Sequence, residues 1–283
     1  MARPPVILVE NHPDRGYYPG HNLVASSEAP GFPVQRLTDG RRDETRCRAN
    51  AANVEWLVTW DCAVVRLASA LFLERGHNLG GKAWLLEGSS DNFATTPETV
   101  VNMAAHPTVP GGRLEEALGA VALDGSWGIL YAPKAFRWWR IRVPAVSAYT
   151  PELTGIHSGR HFQLLKSVPM PYADYDSARF TTELESVAGR IGRSRTYRRR
   201  QGSLVIRAGS EAEYADNFKP WFEDGYRDGP LPAWFVLDPD VPAETTMNVI
   251  CPNGATFAFA QDEGAWPFPT ATVPFIENTP ELT

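Results

Sequence analysis

Few residues of this 283-residue chain combine the types and spacings that catalysis needs. Acids occur together at Glu115-Glu116 and at Glu183/Glu185, adjacent or alternate positions on what read as surface elements. Glycosidase carboxylates come from distant parts of a chain, one of them raised in pKa by an apolar setting, and no acid here sits in an obviously apolar stretch. The chain has no G-x-S-x-G, no H-E-x-x-H, no phosphate loop and no G-x-G-x-x-G after a strand. No enzyme, no catalytic residue and no cofactor are expected. His12 and His21 lie in loop-like sequence without a carboxylate partner and read as solvated loop histidines rather than metal ligands. Asp39, Asp43 and Glu44 could contribute to a cation site with loop carbonyls, but they lack the dense alternating carboxylates of a calcium loop. Cys47, Cys62 and Cys251 are odd in number and have no C-x-x-C spacing, so neither a disulfide framework nor a zinc site is expected, and a reducing folding compartment fits.

Binding chemistry is better represented. Tyr17, Tyr18, His77, Asn78 and Trp127 fall in loop-like sequence and would suit a glycan, which wants an aromatic platform beside hydrogen-bonding groups. The competing reading has these aromatics filling the rim of the core or facing a neighbouring subunit. Six arginines lie between Arg190 and Arg200. Alternation sets Arg193, Arg195, Tyr197 and Arg199 on one side of a strand and Ser194, Thr196, Arg198 and Arg200 on the other. A nucleic-acid tract is one reading. A strand whose Arg193, Arg195, Arg198, Arg199 and Arg200 meet acids of a neighbouring strand or subunit is the other. A formal net charge of −6 favours the second and argues against sequence-specific nucleic-acid binding.

Elements that position these residues read as β throughout. Short apolar runs are punctuated by 24 prolines and 23 glycines, the pattern of an all-β chain rich in turns. Strands are expected over Trp56–Asp61, Ala68–Leu73, Ala83–Glu87 and Phe136–Val143, with a helical turn in 111–119 from the Leu114/Leu118 spacing. In the last strand Trp139, Ile141 and Val143 share the core face, while Trp138, Arg140 and Arg142 share the other, where Trp138 could stack with an arginine. Small and turn-forming residues over Ala145–Arg160 mark a linker, so two β-sandwich domains are expected, 1–150 and 151–283. The second would hold strands near His161–Val168, Ala178–Val187, Ser203–Ala208, Ala233–Leu237, Thr246–Cys251, Ala255–Ala260 and Ala271–Ile276, a hairpin at Asn253-Gly254 and an extended tail from Glu277. One helix is expected at 210–222. Ser210 and Glu213 form its capping box and Tyr214, Phe218, Trp221 and Phe222 its aromatic stripe, although Pro220 would cost a continuous helix about 3 kcal/mol. No run approaches a membrane span, and no secretory signal is read at the start.

The order Leu23-Val24-Ala25-Ser26-Ser27, Leu37-Thr38-Asp39-Gly40, Thr45-Arg46-Cys47, Trp56–Asp61, Leu85–Phe93 and Arg137–Val143 resembles the discoidin-type, galactose-binding-like jelly roll over about residues 20–145. Cys47 stands where a Trp is common, Asp61-Cys62 where Asp-Leu-Gly is common, and the bridging terminal cysteines of secreted members are absent. Such domains often bind sugars, lipids or proteins through loops at one end of the sandwich. Over 160–280, Gly202–Ile206, the helix to Phe222, Pro232–Pro239 and Pro274–Glu277 resemble the β-sandwich of phage distal-tail and minor-tail proteins. That resemblance implies a structural virion protein, located at the tail tip after assembly in the host cytoplasm. It would be a homo-oligomeric ring, commonly sixfold, between tail tube and tip hub. A carbohydrate-binding module or host-surface adhesin without catalysis is the alternative.

Overall fold

The computed structural model describes residues 6–8, 10–13, 20–39, 45–115, 117–122, 125–163, 176–185, 191–207, 212, 215, 219, 233–240, 246–251, 259–262 and 266–277. It is all-β, as expected, and falls into two compact units, Met1–Phe162 with Val236–Thr246, and Gln163–Phe235 with Met247–Thr283. The helix expected at 210–222 lies outside the described residues apart from Ala212, Ala215 and Lys219, and so do Tyr17, Tyr18, Asp43, Glu44, the Asn253-Gly254 turn and the C-terminal tail beyond Glu277.

The first unit is built on two long antiparallel strands. Its strands are β1 (Val6–Leu8), β2 (Asn22–Ala25), β3 (Cys47–Arg48), β4 (Trp56–Leu73), β5 (Trp84–Ser89), β6 (Glu98–Met103), β7 (Gly111–Gly112), β8 (Ala120–Val121), β9 (Trp127–Val143), β10 (Glu152–Leu153), β11 (Ile156–Gly159) and β12 (His161–Gln163). The main sheet runs β11-β4-β9-β5-β6, with β2 beside β4 and β8 beside β9. The two strands expected at Trp56–Asp61 and Ala68–Leu73 are one strand, β4, bent where its register with β9 breaks between Asp61 and Arg66. Before the break Trp56, Val58 and Trp60 are buried and alternate with half-buried neighbours; after it all of Ala68–Leu73 is buried. The half-exposed arm obeys the period of two, and the later arm is covered on both faces.

Opposite Trp60 stands Trp139, and Ile141 and Val143 follow it into the core, as their alternation requires. Trp56, Trp60, Trp84, Trp127 and Trp139 are all at most 1% exposed and form the centre of this core. Each removes a large apolar area from water, the dominant favourable term of folding. Cys47 and Cys62 are buried in the same cluster, and burial pushes both thiols up to about 12.

Two expectations change. The helical turn in 111–119 is not formed: Gly111 and Gly112 pair with Val121 and Ala120, Leu114 is buried and Leu118 is 55% exposed, so the two leucines do not share a helix face. Positive φ at Gly111 and Gly112 explains the difference, because a helix needs both negative. The stretch read as a linker is also structured: β10 pairs with β3, β11 pairs with β4, and both are buried. Its glycines serve close packing. A methyl group on Gly155 would meet the Glu74 side chain at 2.5 Å, and one on Gly159 the Glu10 carbonyl oxygen at 2.3 Å.

In the second unit, β13 (Asp176–Glu185), β14 (Ile191–Arg207), β15 (Ala233–Val236), β16 (Thr246–Ile250), β17 (Phe259–Asp262) and β18 (Trp266–Glu277) are described. Strand order is β16-β18-β14-β13, with β17 also on β18. Trp234, Phe235, Met247, Val249, Val273 and Phe275 are buried, and Phe235 meets Phe275 edge to face at 6.1 Å.

Candidate functional site

The bend in β4 brings an aromatic ring, a guanidinium and a carboxylate together at the surface of the first unit. Four residues, Cys62–Val65, are looped out between the paired positions Asp61 and Arg66, and opposite them only Arg137 separates Phe136 from Trp138. Ala63 turns the chain with φ +58, and its backbone N–H donates to Asp61 Oδ1 at 2.8 Å. Arg137 donates to Asp61 through Nε at 2.8 Å and through its Nη2 group at 2.9 Å, a bidentate fork. Arg137 then holds the Asp61 carboxyl below its ordinary range, and the N–H of Ala63 and the Trp138 side chain add to the effect.

The Arg137 guanidinium lies 4.2 Å from the centre of the half-buried Trp138 ring. This is the stacking expected for Trp138, and the arginine is its chain neighbour. Asp61 uses two of the five guanidinium N–H groups, and the Arg137 side chain is 40% exposed. Val64 and Val65, 53% and 60% exposed, lie on the same bulge. Two residues along the same face of β9, Arg140 donates to Glu87 at 2.5 Å and stacks on Phe93 at 4.1 Å. An indole ring beside directed donors and a carboxylate suits a neutral ring that has an apolar face and a rim of hydroxyls.

The sequence-selected loop residues end up elsewhere. Trp127 is not a surface platform: it is 1% exposed, its indole N–H donates to the Leu118 carbonyl at 2.9 Å, and it meets Trp84 edge to face at 5.2 Å. Its position at the start of β9, with Gly119 and Gly128 packed closely around it and its partner strands, draws it into the core. Structure does bring His77 near it, through His106: His77 and His106 meet edge to face at 4.8 Å, and His106 and Trp127 centroids are 5.2 Å apart. Trp84 donates its indole N–H to His106 Nδ1 at 3.1 Å, and His77 Nε2 is buried without a hydrogen-bond partner. Burial pushes His77 down to about 4 and His106 down to about 3, so both imidazoles are neutral at pH 7.

Asn78 is exposed, but its amide is a brace. It donates to the Thr150 carbonyl at 2.9 Å and accepts from the Tyr149 hydroxyl at 3.1 Å and the Glu152 N–H at 2.7 Å. Asp39 accepts from the Thr45 hydroxyl at 3.0 Å, and no group of three or more metal-ligating side chains occurs among the described residues.

His12 and His21 are not solvated loop residues; they are 0% and 3% exposed. His12 meets Glu10 at 3.1 Å, and His21 Nδ1 donates to the His12 carbonyl at 2.8 Å. A further buried line escaped the sequence reading: Glu74 accepts from His157 Nε2 at 2.6 Å, and His157 Nδ1 accepts from the Asn11 amide at 3.3 Å. It joins three chain segments and lies within the interior, and no spacing in the sequence announces it.

No protein-family model and no curated relative matches the chain. Solved structures resemble part of it. Chitosan-binding module 1 of a chitosanase/glucanase from Paenibacillus sp. IK-5 is 16% identical, with TM-score 0.40, over 53% of this chain and 99% of that one. The CBM32-6 module of a Clostridium perfringens protein is 16% identical, with TM-score 0.39, over 53% and 99%. A Ruminococcus gnavus GH29 fucosidase in complex with fucose is 11% identical, with TM-score 0.40, over 50% of this chain and 26% of that one.

Proposed function

We propose that the first unit is a discoidin-type, non-catalytic recognition module that binds a neutral glycan at Asp61, Arg137 and Trp138. The observation that carries the reading is the half-buried Trp138 ring with a guanidinium at 4.2 Å that is itself locked by Asp61. A locked guanidinium donates to a ligand hydroxyl without first losing side-chain freedom. The apolar C–H face of a sugar then packs against the indole ring and the exposed Val64 and Val65. The ordered sequence pieces from Leu23 to Val143 support the same module. Membership of a virion tail tip is a second proposal, supported by the order of elements in the second unit's sequence.

Glycan-array binding followed by titration calorimetry tests the first reading. An aromatic contact contributes about 0.5–1.5 kcal/mol beyond its buried area. Trp138→Ala therefore weakens binding roughly tenfold, while Val109→Ser, at an exposed position on another loop, leaves it unchanged. An array without any bound glycan, or a Trp138→Ala protein that binds as the parent does, sinks the proposal.

A further inference from the structure

The outer face of β9 carries the same constellation twice. Asp61, Arg137 and Trp138 join a carboxylate, a guanidinium and a ring. Glu87, Arg140 and Phe93 repeat the arrangement: Arg140 donates through Nε to Glu87 at 2.5 Å, and its guanidinium lies 4.1 Å from the centre of the Phe93 ring. Trp138 and Arg140 stand two residues apart on one face of the strand, about 7 Å along it. Register extends this face to β5, where Ser89 is opposite Trp138 and Glu87 is opposite Arg140. Phe93 is tied to the same place, because its backbone N–H donates to Ser89 Oγ at 2.9 Å. Both rings are half-buried, so each keeps part of its surface open.

The backbone at Phe93 is uncommon. Its φ is +62, and that of Asn92 before it is +57. Asparagine enters this left-handed region readily, and phenylalanine rarely does. Residues held there persist only where their surroundings over-determine them, and they cluster at ligand clamps. The turn supplies that hold: Ser89 Oγ also accepts from the Asp91 N–H at 3.1 Å, and Asp91 accepts from the Thr95 N–H at 3.1 Å and the Thr95 hydroxyl at 2.6 Å. A lid over the Glu87–Arg140 pair does not require such a backbone. Charges on this face are matched, Arg137 by Asp61, Arg140 by Glu87 and Arg142 by Glu55. The face therefore offers donors without net charge, and Arg140 gives Glu87 only one of the five N–H groups of a guanidinium. We propose that Phe93 and Arg140 form a second sugar subsite beside Trp138, so that the ligand is a neutral oligosaccharide of at least two residues lying along β9; this rests on the glycan reading above. One sugar packs on Trp138 and the next on Phe93, with the N–H groups of Arg140 donating to hydroxyls at the rim of that ring.

Titration calorimetry of the full chain with glucose, mannose, galactose and N-acetylglucosamine, and with the di- and trisaccharides of each, tests this. In a series that binds, the disaccharide should bind about five- to tenfold tighter than the monosaccharide, the gain expected of one further aromatic contact. The affinity should change by less than about twofold between low and high salt. Phe93→Asn removes the ring and suits the backbone; it should cut the advantage of the disaccharide to less than about twofold. Phe93→Tyr keeps the ring and should keep the advantage. Thermal unfolding confirms that each variant is folded, and the length dependence of the unaltered chain needs no variant at all. Monosaccharide binding that depends on Trp138 but gains nothing from a second residue overturns the second subsite and leaves the glycan reading standing. So does a Phe93→Asn protein that keeps the full advantage, or one that weakens monosaccharide and disaccharide alike. Tighter binding of a uronic-acid disaccharide than of its neutral counterpart overturns the neutral assignment. No binding of any saccharide overturns this inference together with the glycan reading.

Discussion

Glu87 shows how a single charge is kept inside this fold. It lies on β5 opposite Arg140, with a side chain 3% exposed against 16% for Arg140, and Arg142 approaches it at 3.5 Å while also donating to Glu55 at 2.6 Å. Two guanidiniums offset the desolvation of one carboxylate, and the stack on Phe93 shields the pair from water. Such a pair adds little compared with an apolar substitute, but breaking it leaves a buried charge unmatched. Glu87→Ala should therefore destabilise the first unit by about 3–5 kcal/mol. Glu55→Ala, removing a carboxylate 45% exposed, should cost less than about 1 kcal/mol. Urea titration followed by tryptophan fluorescence measures both.

At the scale of elements, the sequence carried what depends on local period. The buried face of Phe136–Val143 and the strand at Trp56 follow from alternation alone, whereas Trp138 stacks on its chain neighbour Arg137 rather than on Arg140 or Arg142 of its own face. What it did not carry depends on pairs distant in the chain. A bulge at Thr196 of β14, which breaks the alternation read over Arg193–Arg200, exists only relative to β13, and the Cys62–Val65 loop only relative to β9. The site at Asp61 and Arg137 spans 76 positions, so neither residue alone signals it. Trp127 was misplaced because a loop-like context says nothing of the core beneath it. Composition also misled at Ala145–Arg160, where small residues suggested a linker but permit close approach. Gly159 pairs with Ala70 on β4, and its Cα faces the Glu10 carbonyl across a gap that excludes a methyl group. Gly159→Ala must move backbone, and should cost about 1–3 kcal/mol. Gly31→Ala is the contrasting control, since nothing lies within 4 Å but its φ is +81, so any loss there is a backbone effect. Thermal unfolding of the two variants separates packing from conformation.

On the scale of the whole molecule, proton linkage follows from burying imidazoles beside indoles. His77 and His106 are both lowered by desolvation, and His21 and His161 are lowered by the same cause. For each of these, the unfolded chain binds a proton near the ordinary value of 6.5 while the folded chain does not. Stability is then fully present above pH 6.5 and is lost as the pH falls toward the folded values, about 4 for His77 and about 3 for His106. Carboxylates held low, such as Asp61 and Glu10, contribute in the same sense but only below their ordinary values of 3.8 and 4.5. Between pH 6.5 and 4.5 the slope therefore belongs to histidine. Stability should fall across that window by a few kcal/mol, at ~1.4 kcal/mol per pH unit for each fully coupled imidazole. His77→Phe keeps a ring against His106 while removing one titration. It should flatten the slope by about one proton's worth without lowering stability at acid pH. Chemical denaturation at a series of pH values, followed by the fluorescence of the buried tryptophans, reads the slope directly. A profile that is flat from pH 7 to 4.5, or one unchanged by His77→Phe, would show that these imidazoles are already protonated or solvated in the folded protein.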